Sequence, residues 1–452
     1  VRSCLYLLCG KIYEAVNNIS MAKACYKQAL EFDLYCSEAM DLLINQHMLS
    51  VDEEVQLLDS LSNCQQCSDA ERQFILQMYR RKTAKVPQES VESKLSNGAE
   101  IFSHDTDSLL DLAKRHCLRT DYDASYKITS TILEEDPYHE ECIPFHVICL
   151  IELKKTNGKQ SIRITLYAIL MAIIMLFNPI SLILFKFLEL FQLSHVFVNN
   201  YPASPIAWYT VGCYYLLVEN YAQARVHFNK AISLRSSFGL AWLGFAHSFA
   251  AEAEHDRAMA AYSTASNCMP GSHMPLVYIG KEYALSNNYR IAANFFAKAL
   301  QIAPDNPYAE HEIGSAAFNN GDYITAKKHY LLALKVFESD DNKVSVSLPE
   351  AWEPLLNNLG HTCRKLEEYE LALKYHNLAL KLSPRNFSTL TAIGFTYSLM
   401  EKHAIALGYY DKAISLKKDD TFTLQMINNT MEILANISTV AKGKFCYDCD
   451  MD

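Results

Sequence analysis

Small and aromatic positions recur along this chain at a fixed interval of 34 residues. In the stretch HMPLVYIGKEYALSNNYRIAANFFAKALQIAPDN the order is Ile279, Gly280, Tyr283, then Ala292, Phe296, Ala299 and Pro304. One interval earlier stand Phe245, Ala246, Phe249, Ala258, Tyr262, Ala265 and Pro270, and before them Val211, Gly212, Tyr215, Ala224, Phe228 and Ala231. Downstream, Ile313, Gly314, Ala326, Tyr330 and Ala333 keep the register. Leu359, Gly360, Ala372, Ala379 and Pro384 follow after 12 extra residues, which the polar stretch ESDDNKVSVSLPE absorbs as a loop. Ile393, Gly394, Tyr397, Ala406, Tyr410 and Ala413 form a further unit, and the N-terminus supplies Gly10, Tyr13, Ala22, Tyr26 and Ala29. Each interval predicts a first helix carrying the glycine and a second carrying the ring, and a fixed period of this length marks a stacked repeat array.

That order of residues is the tetratricopeptide pattern, so the expected fold is all-α: a superhelix, or α-solenoid, of antiparallel helix pairs. The small residues let the two helices of a repeat approach closely, and the rings fill the space between that pair and the next. Proline ends the second helix. Weaker units fit Leu109 to Pro137 and the residues after Ser37, where Ile44 takes the glycine position. The expected organisation is N-terminal repeats over 1–67 and a loop or linker over 68–105, with room for one helix. Interrupted repeats over 106–204 follow, then a C-terminal array over 205–420 with a loop at 338–350, and a capping helix and tail over 421–452.

The interruption is apolar. Ile164 to Phe185 contains 22 consecutive residues without a formal charge, enough for a membrane-spanning helix, which needs about 20. Yet Pro137 and Pro202, each ending a repeat, lie 65 residues apart, so the run sits at the inter-helix turn of one repeat. ECIPFHVICLIELKK precedes it as first helix and ELFQLSHVFVNNYP follows as second. A bilayer crossing there would divide one solenoid between two sides of a membrane and expose the apolar face of each half, which argues against it. Three readings of the 162–188 segment stand at this level: a translated non-coding stretch, an insertion folded against the solenoid or an interface, and a span.

Composition narrows the function classes. Half of the 452 residues are hydrophobic and 20% are charged, which describes a folded chain. The net charge of −10 argues against a nucleic-acid surface. Fourteen scattered cysteines fit reduced thiols in the nucleus and cytoplasm, and the glycosylation-type triplets at Asn18, Asn386, Asn428 and Asn436 read as coincidence. The chain opens at Val1 without a signal peptide and reads as a fragment. Cys64/Cys67 and Cys446/Cys449 have zinc-type spacing but lie at opposite ends, and ordinary thiols are the expected state. GKQS at Gly158 lacks the rest of a phosphate loop, and His139-Glu140 and His311-Glu312 each lack the second histidine of a metalloprotease. No catalytic residue, metal or cofactor is expected.

What remains is a groove lined by first helices. Repeat positions 2, 5, 9 and 12 give Tyr209, His247, Met274, Val277, Lys281, Tyr308, His311, Phe318, Asn357, His361, Arg364, Phe395 and Ser398. Rings can bury apolar anchors of a peptide while amide and guanidinium groups pair with its backbone or carboxylates; the alternative is that these side chains pack against one another. A chaperone-type carboxylate clamp would need Lys at position 5 and Asn at position 9. The chain has Tyr209/Cys213, Leu243/His247, Val277/Lys281 and His311/Ser315 instead.

Beyond the repeat pattern, AHSFAAEAEHDRAMAAYSTA, YIGKEYALSNN, WEPLLNNLGHTCRKLEEYELAL and KKDDTFTL closely resemble the subunit 6 family of the anaphase-promoting complex, the cell division cycle protein 16 family. The resemblance covers nearly the whole chain outside about Thr156 to Leu188, which departs from the family pattern. It implies a non-catalytic scaffold of a cell-cycle E3 ubiquitin ligase. The implied partners are other subunits of that complex, including a small accessory subunit held in the groove. It also implies a homodimer for a full-length member, through N-terminal repeats that this chain mostly lacks. The alternatives are a peptide-binding adaptor of chaperone or transport machinery and a repeat domain serving a sugar-transferring enzyme; no catalytic domain follows the repeats to support the last.

Overall fold

The computed structural model describes residues 1–62, 68–83, 106–118, 121–156, 180–304, 306–337 and 352–447. These contain 22 helices and no strand. They fall into two compact units, Val1–Asn306 and Pro307–Asp452. The first carries α1 (Arg2–Ala15), α2 (Ile19–Phe32), α3 (Ser37–Asn45), α4 (Val51–Ser62), α5 (Asp69–Lys82), α6 (Thr106–Leu118), α7 (Tyr122–Glu135) and α8 (Cys142–Thr156). It continues with α9 (Ile180–Asn200), α10 (Pro205–Leu217), α11 (Tyr221–Leu234), α12 (Gly239–Ala250), α13 (His255–Cys268), α14 (Met274–Leu285) and α15 (Tyr289–Ile302). The second carries α16 (Pro307–Asn319), α17 (Tyr323–Lys335), α18 (Glu353–Lys365), α19 (Tyr369–Leu382), α20 (Phe387–Leu399), α21 (His403–Leu416) and α22 (Thr421–Tyr447). Within each unit, helices adjacent in sequence pack as neighbours, with α3 and α4 the weak link, as an all-α solenoid requires.

The repeat pattern becomes a steric lock. The Tyr26 ring lies against Gly10, Phe228 against Gly212, Phe296 against Gly280, Tyr330 against Gly314 and Tyr410 against Gly394. A methyl group at any of these glycines would come within 2.3–2.7 Å of the ring. All five rings are fully buried. Ala246 takes the glycine position in the repeat of Tyr262, and both residues are buried.

The turns between paired helices repeat as faithfully. Glu219, Ala253, Asn287 and Gly321 have positive φ, and so do Glu367 and Glu401 beyond the longer loop. Each is followed by the cap of the second helix; Asn220 accepts from the Gln223 amide at 3.3 Å and Asp322 from Thr325 at 3.1 Å. The left-handed residue ends one helix and the cap starts the next with no residue between them. Only position 321 uses glycine, so the other turns carry steric strain of about 1–2 kcal/mol each.

The repeat divided by the apolar run is assembled. Ile143, Val147 and Leu150 of α8 share one buried cluster with Leu190 and Phe197 of α9. Ser194 occupies the ring position there and is buried, so aliphatic packing replaces the ring-on-glycine lock. Residues 157–179, the greater part of the 162–188 segment, lie outside the described residues, as do the 338–350 loop, Cys64, Cys67 and Cys449. No helix among the described residues is long and apolar enough to cross a membrane, and no group of metal-ligating side chains occurs among them.

The one helix for which the 68–105 linker leaves room forms at its start. Ser68 and Glu71 form a reciprocal capping box, and α5 runs from there to Lys82. Leu76 and Tyr79 bury against the N-terminal repeats, with the Tyr79 hydroxyl donating to the Leu34 carbonyl at 2.7 Å. Buried apolar positions within a polar segment thus hold it as helix.

The first unit also folds back upon itself. Arg235 pairs with Glu14 at 3.0 Å, the Ser236 hydroxyl donates to Asn17 Oδ1 at 3.1 Å, and the Gly271 amide donates to the His47 carbonyl at 2.6 Å. No side chain fits at position 271, because a β-carbon would stand 1.9 Å from the Leu49 carbonyl oxygen.

Substituting Gly394→Val should cost about 1–3 kcal/mol by overpacking the Tyr410 contact. Gly408→Ala, at a helical glycine with open space around it, should gain about 0.5–1 kcal/mol from helix propensity. Chemical denaturation of the two variants measures both. Ala253→Gly should stabilise by about 1 kcal/mol through relief of the left-handed turn, read in the same assay.

Candidate peptide-binding groove

Every residue singled out for the groove lies on the first helix of a pair. The helices present them differently. In the first unit, Tyr209 is 4% exposed and Val277 fully buried. The Tyr209 ring packs at 6.0 Å from Phe228 and 5.5 Å from Phe238, and burial holds its phenol well above the usual tyrosine range. Both side chains belong to the core, leaving a peptide no access to them. Position 5 lies one helical turn before the glycine and therefore meets the ring of the second helix.

His247, Met274 and Lys281 are half-buried. His247 Nδ1 lies 2.7 Å from the Tyr262 hydroxyl, and its ring meets Tyr278 edge-on at 4.5 Å. Tyr278 in turn stacks on Tyr262 at 5.5 Å. These contacts form a polar-aromatic ledge linking α12, α13 and α14.

The second unit gathers Tyr308, His311, Phe318, Asn357, His361, Arg364 and Phe395, all half-buried, on α16, α18 and α20. Asn358 donates to His311 Nε2 at 3.1 Å, and the His311 ring tilts against Tyr330 at 5.6 Å. Phe318 packs edge-on against Tyr323 at 5.3 Å. The densest part centres on His376 of α19, which occupies the ring position of its repeat beneath Gly360. Its Nδ1 donates to Asn357 Oδ1 at 2.8 Å, while its buried Nε2 has no hydrogen-bond partner among the described residues. The His361 ring stands 4.9 Å from that of His376. Arg364 donates to His361 Nδ1 at 3.3 Å, and its guanidinium lies 4.6 Å over the Phe395 ring. Ser398 shares a 3.1 Å hydrogen bond with the Tyr410 hydroxyl.

Burial keeps both imidazoles neutral. Desolvation, reinforced by Arg364, lowers His361 to about 4, and desolvation with His361 and Arg364 nearby lowers His376 to about 3. Burial lowers Arg364 as well. The cluster therefore carries one guanidinium charge among neutral rings and amides. Such a surface can accept a peptide carbonyl or carboxylate while aromatic faces hold apolar side chains.

With this geometry established, comparison with known proteins is informative. The tetratricopeptide-repeat family profile matches residues 5–35, 206–238 and 353–386. The cell division cycle protein 16 homolog of Mus musculus is 42% identical over 394 residues, covering 87% of this chain and 58% of its own length. Anaphase-promoting complex subunit 6 of Arabidopsis thaliana is 32% identical over 401 residues, covering 87% of this chain and 67% of its own length. The chain belongs to the anaphase-promoting complex subunit 6 family. Its fold is similar to that of a crystal structure described as the APC/C hetero-tetramer Cut9-Hcn1, with a TM-score of 0.68, 29% identity, and coverage of 95% of this chain and 76% of that one. The chain thus spans little more than half the length of its mouse relative.

In this member of the subunit 6 family, reading groove positions alone overlooks His376, Asn358 and Trp352. His376 was accessible to the period, since it lies 16 residues after Gly360 as Phe296 does after Gly280. Its imidazole invites Asn357 and His361 to form a polar cluster where other repeats have a hydrocarbon contact. Trp352 joins the core of the second unit and meets the His311 ring edge-on at 6.4 Å.

The histidines give an acid-sensitive core. An unfolded chain takes up protons at these rings below about pH 6.5, whereas the folded chain resists until about 4 and 3. Folded stability should therefore decline as pH falls through this window. Replacing His376→Phe should flatten the decline, as measured by urea denaturation between pH 7 and pH 4.

Proposed function

We propose that this chain is a non-catalytic scaffold of the anaphase-promoting complex, a cell-cycle E3 ubiquitin ligase, acting in the nucleus and cytoplasm. It holds other subunits of that complex and binds a segment of a small accessory subunit against its first helices. The observation that carries this reading is the 32% identity across 67% of Arabidopsis anaphase-promoting complex subunit 6. The hetero-tetramer named for the Cut9-Hcn1 structure supports two further elements: a second kind of chain as partner, and more than one copy of at least one chain. Self-association of the full-length protein follows as part of the proposal.

Within the second unit, the face from His311 to Phe395 supports peptide capture best. Arg364 supplies a charged donor beside the Phe395 ring, His361 adds a neutral imidazole, and His311 adds a ring held by the Asn358 amide. The chaperone-adaptor alternative receives no specific support, since the clamp pairs are absent from the sequence.

Affinity purification of the tagged chain from dividing cells should recover other repeat-bearing, cullin-like and RING subunits. Recovery of chaperones alone would overturn the assignment. The groove is tested by the double variant His361→Gln, Arg364→Gln, which should weaken binding of the accessory-subunit segment about tenfold or more in a fluorescence titration, while the melting temperature stays near wild type. Asn357 is retained in this test because its amide holds the buried His376, and removing it would confound binding with stability.

A further inference from the structure

A second concave site lies within the first unit, on helices other than those that carry the groove positions. It is a cavity of about 620 Å³ bounded by α3, α5, α6, the turn before α8 and the end of α9. Its walls bring together residues as distant in sequence as Asp41 and Tyr201. Tyr138, Phe197 and Tyr201 supply aromatic surface, with ring centroids 5.5–6.1 Å apart. Among the described lining residues, Asp41, Asp107, Asp111, Asp136, Glu140 and Glu141 face Lys82 and Lys114, with His139 beside them.

The two lysines are already engaged. Lys82 pairs with Asp41 at 2.5 Å, and Lys114 approaches Glu141 at 3.3 Å and Asp111 at 3.9 Å. Asp107, Asp136 and Glu140 have no cationic partner among the described residues. Glu140 accepts from the Ser204 hydroxyl at 3.2 Å and Asp136 from the Tyr138 amide at 3.1 Å, so both carboxylates are held in place. Burial pushes the Asp111 carboxyl up to about 6, against the lowering effect of Lys114, Lys82 and Arg115. A recess with fixed, uncompensated carboxylates beside aromatic faces suits a cation on an extended stem: the charge meets the carboxylates, the stem and charge meet the rings.

We propose that this cavity binds a lysine- or arginine-bearing segment of a partner protein. The volume admits one or two such side chains together with the backbone that carries them. The site is independent of the accessory-subunit groove, which lies on other helices, so either can fail without the other.

The test uses the whole chain and a dye-labelled peptide of alternating arginine and glycine, with a citrulline-glycine peptide as uncharged control. The variant Asp107→Asn, Asp136→Asn, Glu140→Gln preserves shape and hydrogen-bonding atoms while removing three charges. A second variant, Glu370→Gln, Glu401→Gln, Asp411→Asn, removes three exposed charges in the other unit. Anisotropy titration at moderate salt should show at least a tenfold weaker arginine peptide for the cavity variant and little change for the second, with melting curves of both matching wild type. Equal loss in both variants would reduce the effect to overall charge and overturn the site. So would equal binding of the citrulline peptide, or no saturable binding by the wild-type protein. If the cavity variant melts early, Asp107→Asn alone repeats the comparison, with a loss of threefold or more expected and no loss counting against the site.

Discussion

The contact on which the fold depends is a ring seated on a glycine. Where two helices of a pair approach closely enough for Tyr26, Phe228, Phe296, Tyr330 or Tyr410 to lie against the facing backbone, a β-carbon has no room. The contact fixes both the spacing and the rotation of the pair. Because each pair repeats it, the first helices present the same faces in succession. The face proposed for peptide capture in the C-terminal unit is therefore a product of core packing. In the first unit, Tyr209 and Val277 at position 5 are turned into the core, whereas His247 and Lys281 at position 9 are left half-buried.

The same geometry gives His376 its importance. An imidazole fills the ring position, but unlike a phenyl group it brings two nitrogens into a buried layer. Asn357 satisfies one of them, while burial, reinforced by Arg364, favours the neutral form of both histidines. This bond ties Asn357 to core stability through His376, so that groove residue cannot be altered freely. Arg364 illustrates the compromise: it is partly desolvated, rests on Phe395, and remains the one full positive charge in the cluster.

Membership of the subunit 6 family fits the proposed scaffold role, for which a repeating helical framework is suited. Such proteins work by presenting surfaces with fixed chemistry at fixed places. The two units offer contrasting ones. One carries a guanidinium among neutral rings, and the other a recess in which carboxylates outnumber lysines.

The sequence determined the period, the helix pairs, the ring-on-glycine contacts and the family, because each is written in residues a fixed number of positions apart. It also located both helices of the interrupted repeat, since Pro137 and Pro202 bracket them whatever intervenes. It did not determine which groove positions face outward: Val277 and Tyr209 lie at the expected repeat positions but are consumed by packing, a matter of helix rotation that spacing leaves free. The first-unit contacts from Glu14 to Arg235 and from His47 to Gly271, and the cavity from Asp41 to Tyr201, join residues with no periodic relation to one another. Only the tertiary structure could decide these, because they arise from the accumulated curvature of many stacked pairs, a property no single interval encodes.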